Sequence, residues 1–131
     1  MVPHVVDPQP IRGDLQQQIM EVLWRSAKLS VEDVRQGLPP SRRGAYTTVQ
    51  TVLNRLAEGR LVRRHRTGRA ILYSARMSEA DYAARSLHRS LAGVSEAARL
   101  TALASLVEEL SPGEMEAVST LAAEIQARRK S

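Results

Sequence analysis

The sequence predicts a mainly α protein with one small β-hairpin, and three observations carry that prediction. Apolar residues recur at helical spacing through most of the chain, as at Leu15, Ile19, Val22 and Leu23. One stretch breaks the rhythm: Leu61–His65 and Ala70–Ala75 are rich in alternating or β-branched residues and flank RTGR, with Gly68 in the link, which reads as a hairpin. Helix starts and stops punctuate the rest, from Ser30 and Pro39-Pro40 to Ser111-Pro112-Gly113-Glu114.

In chain order, residues 1–12 carry Pro3, Pro8 and Pro10 and are expected to form a flexible arm. Asp14–Ala27 reads as a first helix, whose stripe Met20 and Trp24 widen, implying burial against more than one neighbour. A turn at Lys28–Leu29 leads to a short second helix, with Ser30 as N-cap and Asp33 three residues on. Val31, Val34 and Leu38 face inward, and the two prolines forbid continuation. A third helix is expected from about Gly44 to Glu58, with Gly59 as its stop. After the hairpin, Ser78 with Asp81 opens a helical remainder of two or three helices. In the last of them Met115, Val118, Leu121, Ala122 and Ile125 form one face.

Composition narrows the classes. The 131 residues include no Cys and no Phe, so a disulfide framework, a Cys zinc site and a thiol nucleophile are excluded. No apolar run approaches the ~20 residues of a membrane span, so membrane insertion is not expected. The first residues lack the basic and apolar regions of a secretory signal, and a cytoplasmic protein is expected. Charge is uneven: through Arg76 there are 13 Arg/Lys and 6 Asp/Glu, and beyond it 6 and 8. A basic front half suits a polyanion, whereas solvated arginines alone would need no partner.

The third helix, AYTTVQTVLNRL, sharpens this. Three threonines cost roughly 1–2 kcal/mol of helix propensity against Ala. At 100° per residue, Val49, Val52, Leu53 and Leu56 gather on one side, and Thr47, Gln50, Thr51 and Asn54 on the other. An ordinary solvated face would use Glu and Lys. Short neutral hydrogen-bonding groups suit a backbone that must come close to another surface, and the major groove admits one helix. Thr48 lies to the side, nearer Arg55, and is expected to meet phosphate rather than a base. Arg42 and Arg43 stand just ahead, with Tyr46 at the start. A protein-docking face is the alternative. The hairpin stretch Arg60–Arg69 holds five arginines and no acid, so it reads as a wing that sets Arg66 and Arg69 on a phosphate strand or in a minor groove. Edge-strand charge against aggregation is the competing reading.

Nothing in the sequence points to an enzyme, a metal or a cofactor. His4, His65 and His88 are far apart, and no GxGxxG, phosphate loop or GxSxG is present. Trp24 and Tyr73 are expected in the core, although Tyr46 and Tyr73 could also stack on a base or sugar.

The strings IMEVLW, AYTTVQTVLNRLAEGRLV and GRAILYSA resemble the penicillinase repressor family (BlaI/MecI type), most specifically in the third helix. The resemblance implies a winged helix-turn-helix domain over residues 13–76 and a C-terminal helical dimerisation region over residues 77–131. It further implies a homodimeric transcriptional repressor on a palindromic double-stranded DNA operator. Arg42, Arg43, Tyr46, Thr47, Thr48, Gln50, Thr51, Asn54 and Arg55 would belong to the recognition helix and its approach, and Arg66 and Arg69 to the wing. In members of this family a membrane-bound sensor metalloprotease leads to cleavage at an Asn-Phe bond in the C-terminal region; this chain has no Phe, so that bond is absent and the route of induction is left open. A ligand-sensing regulator of the multidrug type, with a small molecule between the two halves, is the alternative.

A dimer also follows from the residues. The last 55 or so residues are too few for much of a core by themselves. A second copy would cover Leu87, Leu91, Leu103, Leu106, Leu110, Met115, Val118, Leu121 and Ile125, and two-fold symmetry would match a palindrome.

Overall fold

The computed structural model describes residues 7–131. Its elements are α1 (Gly13–Trp24), α2 (Val31–Gly37), a 3₁₀ turn (Pro40–Arg42), α3 (Tyr46–Glu58), β1 (Val62–Thr67), β2 (Ala70–Ala75), α4 (Glu79–Leu91), α5 (Glu96–Glu108) and α6 (Pro112–Lys130). The chain divides into two compact units between Ser90 and Leu91.

The first unit is a winged helix-turn-helix. Its core is aliphatic: Ile19, Met20, Val22 and Leu23 of α1 meet Val31, Val34 and Leu38 around α2, Val49, Leu53 and Leu56 of α3, and Leu61, Val62 and Tyr73 of the hairpin. α2 starts on a full capping box, in which the Ser30 hydroxyl accepts from the Asp33 N–H and the Asp33 carboxylate from the Ser30 N–H. The strands pair antiparallel from Val62 opposite Ala75 to Thr67 opposite Ala70. Gly68 (φ +62°) and Arg69 make the two-residue loop, and a left-handed first residue alone is the type II′ pattern. Tyr73 is core, as expected, and is 1% exposed.

Four expectations shift. Leu29, read as a turn, bridges Tyr73 through paired backbone bonds of 2.9 and 2.7 Å, adding a one-residue third strand. A single residue pair has no period and leaves no trace in sequence. α3 stops at Glu58 with Gly59 as its C-cap, as expected, but the left-handed turn falls one residue late. Gly59 keeps φ −79°, and Arg60 takes the left-handed turn at φ +64°. Leu61 N–H bonds the Leu56 carbonyl and Arg60 N–H that of Ala57, a Schellman motif with arginine where glycine is usual. Gly59 is itself buried beside Gln9, at ordinary contact distance.

The third shift concerns the arm. Residues 1–6 lie outside the described residues, but 7–12 are held. Pro8 is buried, Gln9 N–H donates to the Gly59 carbonyl at 2.9 Å, and Ile11 N–H to the Tyr82 hydroxyl at 2.8 Å. The fourth is the boundary, expected at 76/77. α4 stays with the first unit because Tyr82 packs on the core and tilts against Trp24 (5.8 Å between ring centroids), while Trp24 Nε1–H donates to the Met77 carbonyl. Trp24, expected in the core, is therefore half-buried beneath α4.

The second unit is helical. α5 starts on Ser95, and α6 on a capping box of Ser111 and Glu114 with Pro112 at the first position. No described helix is long and apolar enough to cross a membrane.

Candidate nucleic-acid interface

α3 is fixed from behind. Val49 and Leu53 are fully buried, Leu56 nearly so, and Val52 packs half-buried beside them. Four aliphatic side chains are worth up to roughly 6–12 kcal/mol of burial, far above the propensity cost of the threonines. The opposite face is therefore free for other chemistry. It carries Thr47, Thr48, Thr51 and Arg55, all exposed, with Tyr46 47% exposed at its start.

This face is turned from the one expected. Thr48 is exposed with Thr47 and Thr51, whereas Gln50 and Asn54 are half-buried. Asn54 is also engaged: its Oδ1 accepts from the Tyr73 hydroxyl at 3.0 Å, tying α3 to β2. Thr51 Oγ1 donates to the Thr47 carbonyl at 2.8 Å, which leaves its lone pairs free to accept. Ala45, the N-cap of α3, has no side-chain oxygen to cap the first turn, so backbone N–H groups there are left for an incoming anion.

The two arginines ahead of α3 differ. Arg42 is exposed and touches Asp14 at 3.1 Å, a surface pair worth little and easily opened. Arg43 is half-buried, and its Nη2 donates to the carbonyls of Gln36 (3.0 Å) and Leu38 (3.2 Å). It closes the C-terminal end of α2, a structural task the sequence reading had given to DNA. Arg35 does similar work, with Nε on the Gly44 carbonyl at 2.7 Å.

On the hairpin Arg63, Arg64, Arg66 and Arg69 are all exposed. Among the described residues no carboxylate lies within 4.0 Å of these four or of Arg55, while Arg35, Arg42 and Arg85 each have one. The hairpin and the outer face of α3 thus carry positive charge with no carboxylate partner among the described residues. His65 adds none at neutral pH. Its Nε2 lies 2.7 Å from Ser74 Oγ, and partial burial, then Lys28 and Arg63, pull its pKa below the usual histidine range. Arg12, read as part of the arm, lines a polar cleft of about 370 Å³ with Gln16, Arg55 and Glu58. Proximity in space, not spacing in sequence, puts it there. Among the described residues no cluster of His, Asp or Glu could hold a metal.

The residues expected to pair copies lie largely in the second unit and are not buried. Leu106, Met115, Val118, Leu121 and Ile125 are exposed, and Leu103 and Leu110 half-buried. At the end of α4, Leu87 is exposed and Leu91 half-buried. Leu100, absent from the expected set, is 69% exposed.

The penicillinase repressor family model matches residues 12–124. The transcriptional regulator BlaI of Mycobacterium tuberculosis (strain H37Rv) is 35% identical over 117 residues, covering 88% of this chain and 85% of that one. The penicillinase repressor of Bacillus licheniformis is 27% identical over 73 residues, or 56% of this chain and 57% of its own. The solution structure of the DNA-binding domain of the repressor BlaI aligns over 56% of this chain and 89% of that one, at 27% identity and a TM-score of 0.48. The family groups transcriptional repressors, not enzymes. With most of its length matched, the chain belongs to the penicillinase repressor family.

Proposed function

We propose that the chain is a sequence-specific transcriptional repressor that binds a palindromic operator as a homodimer. The observation that carries this reading is the pairing of a short, neutral, exposed face on α3 (Thr47, Thr48, Thr51) with Arg55, Arg66 and Arg69, which have no carboxylate partner among the described residues. α3 enters the major groove. There a threonine hydroxyl can bond a base edge or phosphate, and its methyl can meet thymine. The wing arginines lie on phosphates or in the adjoining minor groove. α5 and α6 of two copies cover each other's exposed leucines, so the dimer axis coincides with that of the operator.

The test is a pair of substitutions measured by anisotropy on the promoter fragment of the protein's own gene. Arg69→Ala weakens binding about equally on all sequences and lowers the slope of log K against log salt by about one. Thr51→Ala relaxes sequence preference instead. Operator binding unchanged by both would remove α3 and the wing from the interface.

A second reading, ligand sensing, is favoured by one feature. α1 and α4 border an open cleft of about 450 Å³ lined by Trp24, Tyr82, Ala83 and Leu87. It predicts that an aromatic organic ligand quenches Trp24 and releases DNA; quenching without release leaves the operator reading alone.

A further inference from the structure

The proline-flanked segment before α1 is short and low in sequence signal, yet it touches both the end of α3 and α4. Its Gln9 N–H reaches the Gly59 carbonyl just past α3, and its Ile11 N–H reaches the Tyr82 hydroxyl on α4. α4 grips it twice more: Arg85 Nη1 lies 3.4 Å from Asp7 Oδ1, and Arg89 Nη1 donates to the Pro8 carbonyl at 3.2 Å. Gly59 lies buried beside it, with the Gln9 Cβ 3.4 Å from where a Cβ on Gly59 would stand. Pro8 and Pro10 fix φ on either side of Gln9 and lower the entropy of ordering the segment.

We infer that residues 7–12 are a strap that fixes α4 to the end of the reading helix and so sets which half-site spacing the dimer accepts. The inference rests on the dimeric operator reading. α4 is the chain's only covalent path from the winged helix to the second unit, so whatever fixes α4 fixes the direction in which the chain leaves the reading unit. Spacing is a strict variable on DNA. One added base pair moves a half-site by about 3.4 Å and turns it by about 34°. A clamped exit rejects such a change; a loosened one follows it. Tyr82, Arg85 and Arg89 are then positioning residues that determine specificity while touching no base.

The experiment uses the full chain and its triple variant Tyr82→Phe, Arg85→Ala, Arg89→Ala. The probes are duplexes carrying the half-site selected in vitro by the wild-type chain, once alone and as inverted repeats whose spacing is stepped by one base pair. In the variant, the ratio of best to worst spacing falls at least tenfold, while affinity for the single half-site stays within about twofold. A spacing preference kept by a dimeric variant overturns the strap. So does a loss shared equally by the single half-site. A wild-type chain that sediments as a monomer on every duplex overturns the dimer reading itself, and the strap's role with it. Tyr82→Phe alone, which keeps the ring against Trp24, guards against a folding artefact. It speeds amide exchange at Ile11 with the urea midpoint unchanged, and an Ile11 amide as protected as in wild type overturns the contact.

Discussion

α3 and α6 dispose of their apolar residues differently. α3 buries Val49, Leu53 and Leu56 within its own unit, and its other face is free for chemistry. α6 leaves Val118 and Leu121 about half exposed and has no buried residue. A helix whose core lies within its own chain can carry weak helix formers such as Thr47 and Thr51 on its outer side. On the proposed reading, a second copy supplies the core that α6 lacks.

Substitutions can break that contrast. Leu53→Ala, at a fully buried position, costs about 2–5 kcal/mol of stability and shows as a fall in the urea midpoint of the first unit. Val118→Glu with Leu121→Glu leaves that unit folded and halves the sedimenting mass, weakening self-association by on the order of 2–4 kcal/mol. A doubly substituted chain that still sediments as a dimer would place the pairing surface elsewhere. Arg43→Ala strips the carbonyl caps from α2 and costs about 1–3 kcal/mol of stability. Arg66→Ala, at an exposed position, leaves stability within about 0.5 kcal/mol and weakens DNA binding instead.

The smallest effects come from pH, one in each region. Folding lowers the pKa of His65 through its partial burial, so the folded state resists protonation. Stability is untouched above the ordinary histidine value, then falls as pH drops from it through the lower folded value, and His65→Gln flattens that limb of the denaturation curve. Folding also lowers the pKa of Glu114, because its carboxylate accepts from the Ser111 N–H. That contribution is present above the ordinary carboxylate value and is lost as pH falls through the folded one; Glu114→Gln removes it.

Much of this was legible in the residues. The period of Val49, Leu53 and Leu56, the Ser30 and Ser111 caps and the Gly68 loop are local signals, and each element formed where they pointed. What stayed hidden depends on distant partners. Asn54 meets Tyr73 nineteen residues on, and Ile11 meets Tyr82 across seventy-one. Arg43 carries the same charge whether it faces phosphate or two carbonyls, and only the fold decides between them. The mean helical angle also misplaced the exposed face of α3, because opposition to four apolar residues does not reveal the hairpin leaning on one flank.

The division of labour between the two units is tested most directly by sedimentation velocity of the full chain with a labelled duplex from the promoter of its own gene, at 50 and 200 mM salt. The account predicts two chains per duplex at the lower salt and an affinity that falls by about 10³–10⁵ at the higher, as for 6–10 phosphate contacts. A single chain per duplex, or an affinity indifferent to salt, would contradict it.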